Sequence, residues 1–262
     1  MLKFLSFTSG SCGNCYFLTT GTDGLVIDAG VSLRRMKSVL AEYGYDYSSF
    51  NNVLVTHDHL DHIRNLDSFC KKLMKPVWAT TVLHGALATH AFTRAHIASC
   101  RKFLDIGKWT RVGEFSVRPF VVPHDATQTV GYAISAGGEE FVIMTDLGRV
   151  TDEAVELASG ASTVVIESNY DVDMLMGGSY PHELKMRIMQ GHGHISNDEC
   201  ASAIKRFAHE GLKNVFLCHL SENNNTRELA YACSSAALKE AGCNHVCLRC
   251  LPRQYPSPLV EL

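Results

Sequence analysis

The stretch Leu54-Val55-Thr56-His57-Asp58-His59-Leu60-Asp61-His62 places three histidines and two aspartates within six positions, directly behind an apolar run. That run reads as a buried strand ending at Thr56. In extended backbone His57 and His59 point to one side, and Asp61 and His62 follow as the chain turns, so one loop offers several ligands to a common point. A merely solvated histidine cluster would need no strand aimed at it. The stretch therefore reads as part of a metal site.

Upstream, Leu25-Val26-Ile27-Asp28-Ala29-Gly30 is a second buried strand closed by an acid. Asp28 has two readings: a cap for the helix that starts near Ser32, or a hydrogen-bond anchor beneath the metal ligands. Before it, two short strands flank a loop of small residues from Thr8 to Asn14, where backbone can approach a ligand closely, and Asn14 is placed as a substrate contact. Leu33, Met36, Val39, Leu40 and Tyr43 recur at helical spacing, and Gly44 stops that helix. Its basic face of Arg34, Arg35 and Lys37 reads as solvated.

Downstream come a Lys-rich helix and a short strand over 76–80, and then 81–105 reads as helical, with His84, His90 and His96 as surface or core residues. Beyond Trp109 the pattern changes to strands. Residues 115–122 run into Pro123-His124-Asp125, a strand over 131–135 follows, and 141–145 run into Asp146. Residues 163–166 end on Glu167, 215–218 end on His219, and 245–251 form a last strand. Helices are expected over 152–158, 181–189, 197–209 and 226–240. Ser196 and Glu199 make a capping box for the third of these, which puts His194 just ahead of a helix N-terminus. With no solenoid-period repeat and no low-complexity linker, residues 1–262 read as one α/β domain.

The chain has 262 residues, 46% of them hydrophobic, enough for a large core. No apolar run approaches a membrane span and the N-terminus lacks the pattern of a secretory signal, so a cytoplasmic protein without membrane association is expected. A net charge of −3 neither favours nor disfavours an anionic substrate. The ten cysteines are scattered through a chain too large to need a disulfide scaffold. Cys12-x-x-Cys15 and Cys247-x-x-Cys250 have the spacing of zinc or redox sites, but their apolar surroundings favour small buried hydrophobes.

Strand ends would gather His57, His59, Asp61, His62, His124, Asp146 and His219 at one sheet edge, enough donors for two divalent metals sharing a bridging oxygen ligand. Nitrogen and oxygen donors suit zinc or manganese alike. The His-x-His-x-Asp-His motif at 57–62, with His124 in Pro-His-Asp, Asp146 in Met-Thr-Asp-Leu-Gly and His219 in Leu-Cys-His-Leu-Ser, resembles the metallo-β-lactamase superfamily. The resemblance implies a four-layer αββα sandwich with the metals at one edge between the sheets. It also implies that His57, His59 and His124 hold one ion, that Asp61, His62 and His219 hold the other, and that Asp146 bridges them. Residues 9–16, Glu167-Ser168-Asn169, 180–188, 193–197 and 219–224 look like the YycJ/WalJ group, whose resemblance implies a 5′-to-3′ exonuclease acting on DNA.

Phosphodiester hydrolysis by such a site uses a metal-bridging hydroxide as nucleophile and needs a proton for the leaving sugar oxygen. His194, not needed as a ligand, is the candidate general acid, with Glu167 to orient it. This pair resembles the acid and histidine of the tRNA-processing branch. Asp61 joins them in the catalytic set, and Lys185 and Arg187 are placed as phosphate contacts. Neither an inserted β-CASP-type domain nor a long glycine-rich tRNA-gripping arm is evident, so DNA is expected over RNA; the sequence is silent on oligomeric state. Two other readings stand: a thioester or lactone hydrolase on the same fold, and a non-catalytic metal-dependent nucleic-acid-binding regulator.

Overall fold

The computed structural model describes residues 1–262 and contains two seven-stranded sheets. The first is formed by β1 (Lys3–Thr8), β2 (Cys15–Thr19), β3 (Gly24–Ile27), β4 (Asn52–Leu54), β5 (Val77–Ala79) and β6 (Arg101–Phe103). The second is formed by β7 (Thr110–Val112), β8 (Phe115–Val122), β9 (Thr129–Ala136), β10 (Glu139–Met144), β11 (Thr163–Glu167), β12 (Asn214–Cys218) and β13 (Cys247–Cys250). A final strand, β14 (Val260–Glu261), returns to the first sheet beside β1.

Both sheets change character halfway across. Strands β1, β2 and β3 are antiparallel, whereas β3 to β6 run parallel. Likewise β7 to β10 are antiparallel and β10 to β13 parallel. Parallel strands deliver their C-terminal ends to one edge, where their following loops converge. Polar residues occupy those loops because the strands themselves are buried.

The inner faces pack on each other through Phe4, Tyr16, Ile27, Tyr132, Phe141 and Phe216, among others. Outside the first sheet, α1 (Leu33–Glu42) buries Leu33, Met36, Val39 and Leu40, and its N-cap Ser32 accepts from Arg35 N as the spacing predicts. Outside the second sheet lies the helix Asn197–Phe207, which opens on the Ser196–Glu199 capping box, together with the helix Arg227–Glu240. The four layers are helix, sheet, sheet, helix, the expected αββα sandwich.

Residues 81–105 depart from the expected helix. Only Thr81–Thr89 is α-helical, and Arg101–Phe103 is β6, an edge strand whose three residues are exposed. Without a buried face it carries no apolar alternation to read. Two more elements go beyond the sequence reading: the short β14 and the helix Val172–Gly177, capped by Asp171. No helix is long and apolar enough to cross a membrane.

Candidate metal centre

Asp28, Asp146, Glu167 and His219 follow or end parallel strands and are all buried. Asp28, Asp146 and His219 have φ of 61°, 52° and 51°, three of the four positive values among non-glycine residues. Each such turn costs roughly 1–3 kcal/mol and persists only where neighbours enforce it. Here they do: Thr56 N and Oγ1 donate to Asp28, and His219 N donates to Ser9 Oγ. Gly30 completes the packing, since a Cβ there would lie 2.0 Å from the Asp61 carbonyl oxygen. Glu167, at the end of β11, is fully buried.

The donors fall into two adjacent groups. His57, His59 and His124 form one, and Asp61, His62, Asp146 and His219 form the other; within each, ligand atoms lie within 4.8 Å of one another. Asp146 Oδ2 stands between them, 3.8 Å from His57 Nε2 and 4.0 Å from His124 Nε2 on one side, 3.4 Å from His62 Nε2 and 3.5 Å from His219 Nε2 on the other. Four imidazoles are tethered through Nδ1, which turns Nε2 inward. The tethers are Thr56 Oγ1 for His57 (3.0 Å), Asp28 Oδ2 for His62 (2.7 Å), the Gly193 carbonyl for His124 (2.7 Å) and Glu167 Oε1 for His219 (3.1 Å). Asp28 is thus the anchor beneath the ligands, while Ser32 caps the helix.

The donor set fits divalent metal. Buried His57 Nε2 and His219 Nε2 have no hydrogen-bond partner, a rare condition that a metal ion relieves. Electrostatics agree. Burial and neighbouring imidazoles keep His57 well below the ordinary histidine pKa, so its lone pair is available. Burial also opposes charge on His62 and His219, yet Asp146 and the other carboxylates around them prevail, pushing His219 up to about 10. Burial works against ionised Asp146 too, and His219 and His62 overcome it, holding the carboxyl well below its usual range. Such a buried cluster of carboxylates calls for positive charge.

Beside this cluster, Glu167 Oε1 accepts from His194 Nδ1 at 2.7 Å, and Glu167 Oε2 accepts from Leu147 N at 3.0 Å. Burial disfavours charge on His194, but the Glu167 carboxylate outweighs it and raises the imidazole pKa. His194 lines a cavity of about 330 Å³ together with Tyr180, Leu184, Arg187 and Asn169. A larger apolar cleft of about 440 Å³ lies away from these residues, around Tyr231, Leu248 and Pro258.

Three residues placed as substrate contacts occupy different positions. Asn14 is fully buried; its Nδ2 donates to Asp61 Oδ2 at 3.0 Å and lies 2.8 Å from His62 Nε2, so it braces ligands and lines neither side of the cavity. Lys185 Nζ is buried against the carbonyls of Met176 and Gly178, both at 2.7 Å, where it closes the end of the preceding helix. Arg187 does reach the cavity, where it pairs with Asp125 Oδ2. Sequence reading missed Asp125 and Asn169. Asn169 Nδ2 contacts His219 Nδ1 at 3.2 Å, and only its place directly after Glu167 and Ser168 signalled it. The Cys-x-x-Cys pairs join no metal-holding group; Cys15 is buried, and burial raises its thiol pKa well above the usual value.

A family model described as a beta-lactamase superfamily domain matches residues 24–219. The chain is 33% identical over 229 residues to Exodeoxyribonuclease WalJ of Streptococcus pneumoniae serotype 2, covering 87% of this chain and 85% of that protein. It is 34% identical over 242 residues to Exodeoxyribonuclease YycJ of Bacillus anthracis, covering 92% and 90%. Among solved structures, Zn(2+)-bound PqqB from Methylobacterium extorquens superposes with a TM-score of 0.74 at 16% identity, covering 99% of this chain and 100% of that one. The metallo-beta-lactamase fold protein YhfI from Bacillus subtilis gives 0.72 at 14% identity, with 98% of both chains covered. Motif, layered fold and sequence relatives agree: the chain belongs to the beta-lactamase superfamily of metal-dependent hydrolases, alongside WalJ and YycJ.

Proposed function

We propose that this protein is a phosphodiesterase of the cytoplasm that removes nucleotides from the 5′ ends of DNA. Zinc or manganese ions would be held by His57, His59 and His124 on one side and by Asp61, His62 and His219 on the other, with Asp146 between them. Two ions bound there would supply positive charge to the scissile phosphate and acidify a bound water toward neutral pH. The rest of the chemistry falls to side chains of the chain itself. Glu167 fixes the imidazole of His194 through Nδ1, leaving Nε2 to give a proton to the departing sugar oxygen. Asp28 and Asn14 hold the histidine loop in place from behind.

The Glu167–His194 pair supports an alkoxide leaving group, which needs a proton, over a thiolate, which scarcely does, and so favours a phosphodiester over a thioester; the relatives' names favour a phosphodiester over a lactone. The names of the relatives support DNA as the polymer. Purified protein supplied with manganese should release mononucleotides from 5′-phosphorylated DNA. Intact DNA beside cleaved thioester or lactone would instead identify a carbonyl hydrolase.

A further inference from the structure

On the far side of the Ser11–Cys12 loop from the His194 cavity lies a second hollow of about 580 Å³. Ser11 lines the first and Cys12 the second, so two adjacent exposed residues separate them. The hollow is lined by Thr8, Ser32, Arg35, Arg64 and Asn65, among others, and by no acidic residue. Neither Arg35 nor Arg64 is paired with a carboxylate; Arg35 donates only to the Gln254 carbonyl. Thr8 is 2% exposed and its Oγ1 has no hydrogen-bond partner. Arg64 stands two residues past His62, which ties this hollow to the metal centre through one short helix, Leu60–Ile63.

Resting on the nuclease reading above, we propose that the Arg35–Arg64 hollow is a phosphate subsite that grips the DNA strand at a linkage other than the scissile one. Two guanidiniums without carboxylate partners, in a protein of net charge −3, make an anion site for which Arg is the suited residue, since its planar fork matches phosphate oxygens. Thr8, whose buried hydroxyl has no hydrogen-bond partner, lines the hollow beside them. The N-terminus of α1, which has no acidic residue in its first turn, adds favourable potential there. A strand laid across the Ser11–Cys12 loop would then have one phosphate among the metal ligands and another between the two arginines.

The test is steady-state cleavage of a single-stranded 5′-phosphorylated oligonucleotide by metal-loaded protein across a salt series, comparing wild type, Arg35→Gln/Arg64→Gln and Arg34→Gln. Arg34 neighbours Arg35 but lies outside the hollow, so it controls for the loss of one positive charge from the same helix. The double variant should raise KM about 10-fold with kcat nearly unchanged, and its kcat/KM should fall less steeply with salt, by about 0.7 in log–log slope for each lost contact. Melting temperature and metal content report that it remains folded and loaded. A double variant matching wild type and Arg34→Gln in KM and slope overturns the subsite while leaving the nuclease reading intact. A wild type inert on DNA overturns both.

Discussion

Glu167 holds His194 by a 2.7 Å contact from Oε1 to Nδ1, and the same oxygen lies 3.1 Å from Nδ1 of His219. One buried carboxylate therefore orients both an imidazole of the metal cluster and the imidazole lining the adjacent cavity. In the proposed mechanism a change at Glu167 should therefore disturb both imidazoles, whereas a change at His194 should disturb only one.

His194→Ala should lower kcat for DNA by about 100- to 10,000-fold, the range for loss of a general acid, with bound metal unchanged. Glu167→Gln should lower both kcat and metal affinity, because His219 loses its tether as well. Elemental analysis beside kinetics separates the two. Unchanged turnover in His194→Ala would remove it from the mechanism.

Asp28→Asn tests the anchor. Asparagine tolerates the left-handed backbone at this position, so the change isolates the carboxylate. Thr56 and His62 would then share a weaker, neutral acceptor. Metal affinity should fall by about 10- to 100-fold, measured by competition with a chelating dye.

Lys185→Met should destabilise the protein by about 1 kcal/mol, because two part-buried charge-assisted hydrogen bonds to the Met176 and Gly178 carbonyls are lost. Denaturant unfolding measures this. The salt dependence of DNA cleavage should not change, which distinguishes a helix-end brace from a phosphate contact.

Stripping the metal should lower the melting temperature, and refilling should restore it, because ions that bind only the folded centre stabilise it by mass action. At free metal 100 times its Kd the gain is about 2.7 kcal/mol. Scanning calorimetry with and without chelator reads it directly.

Strand ends and the gathering of polar residues beyond them were legible because each apolar run stops on a polar residue, and a buried parallel strand leaves few other places for one. The Ser196–Glu199 capping box was legible for the same local reason. What spacing could not convey was direction. Asn14 and Lys185 have the chemistry of substrate contacts, yet the fold turns one toward Asp61 and the other onto a helix end. Nor could composition reveal the left-handed turns at Asp28, Asp146 and His219, which only tertiary contacts enforce. Arg35 is the converse case: on a helix face that reads as solvated, it lines an acid-free hollow.

The central claim is tested most directly by giving purified protein end-labelled single- and double-stranded DNA and RNA, with manganese or with chelator, beside Asp61→Ala. The account predicts mononucleotides released stepwise from 5′-phosphorylated DNA ends, abolished by chelation and by Asp61→Ala. DNA left intact by metal-loaded wild type, while a thioester or lactone is hydrolysed, would contradict it.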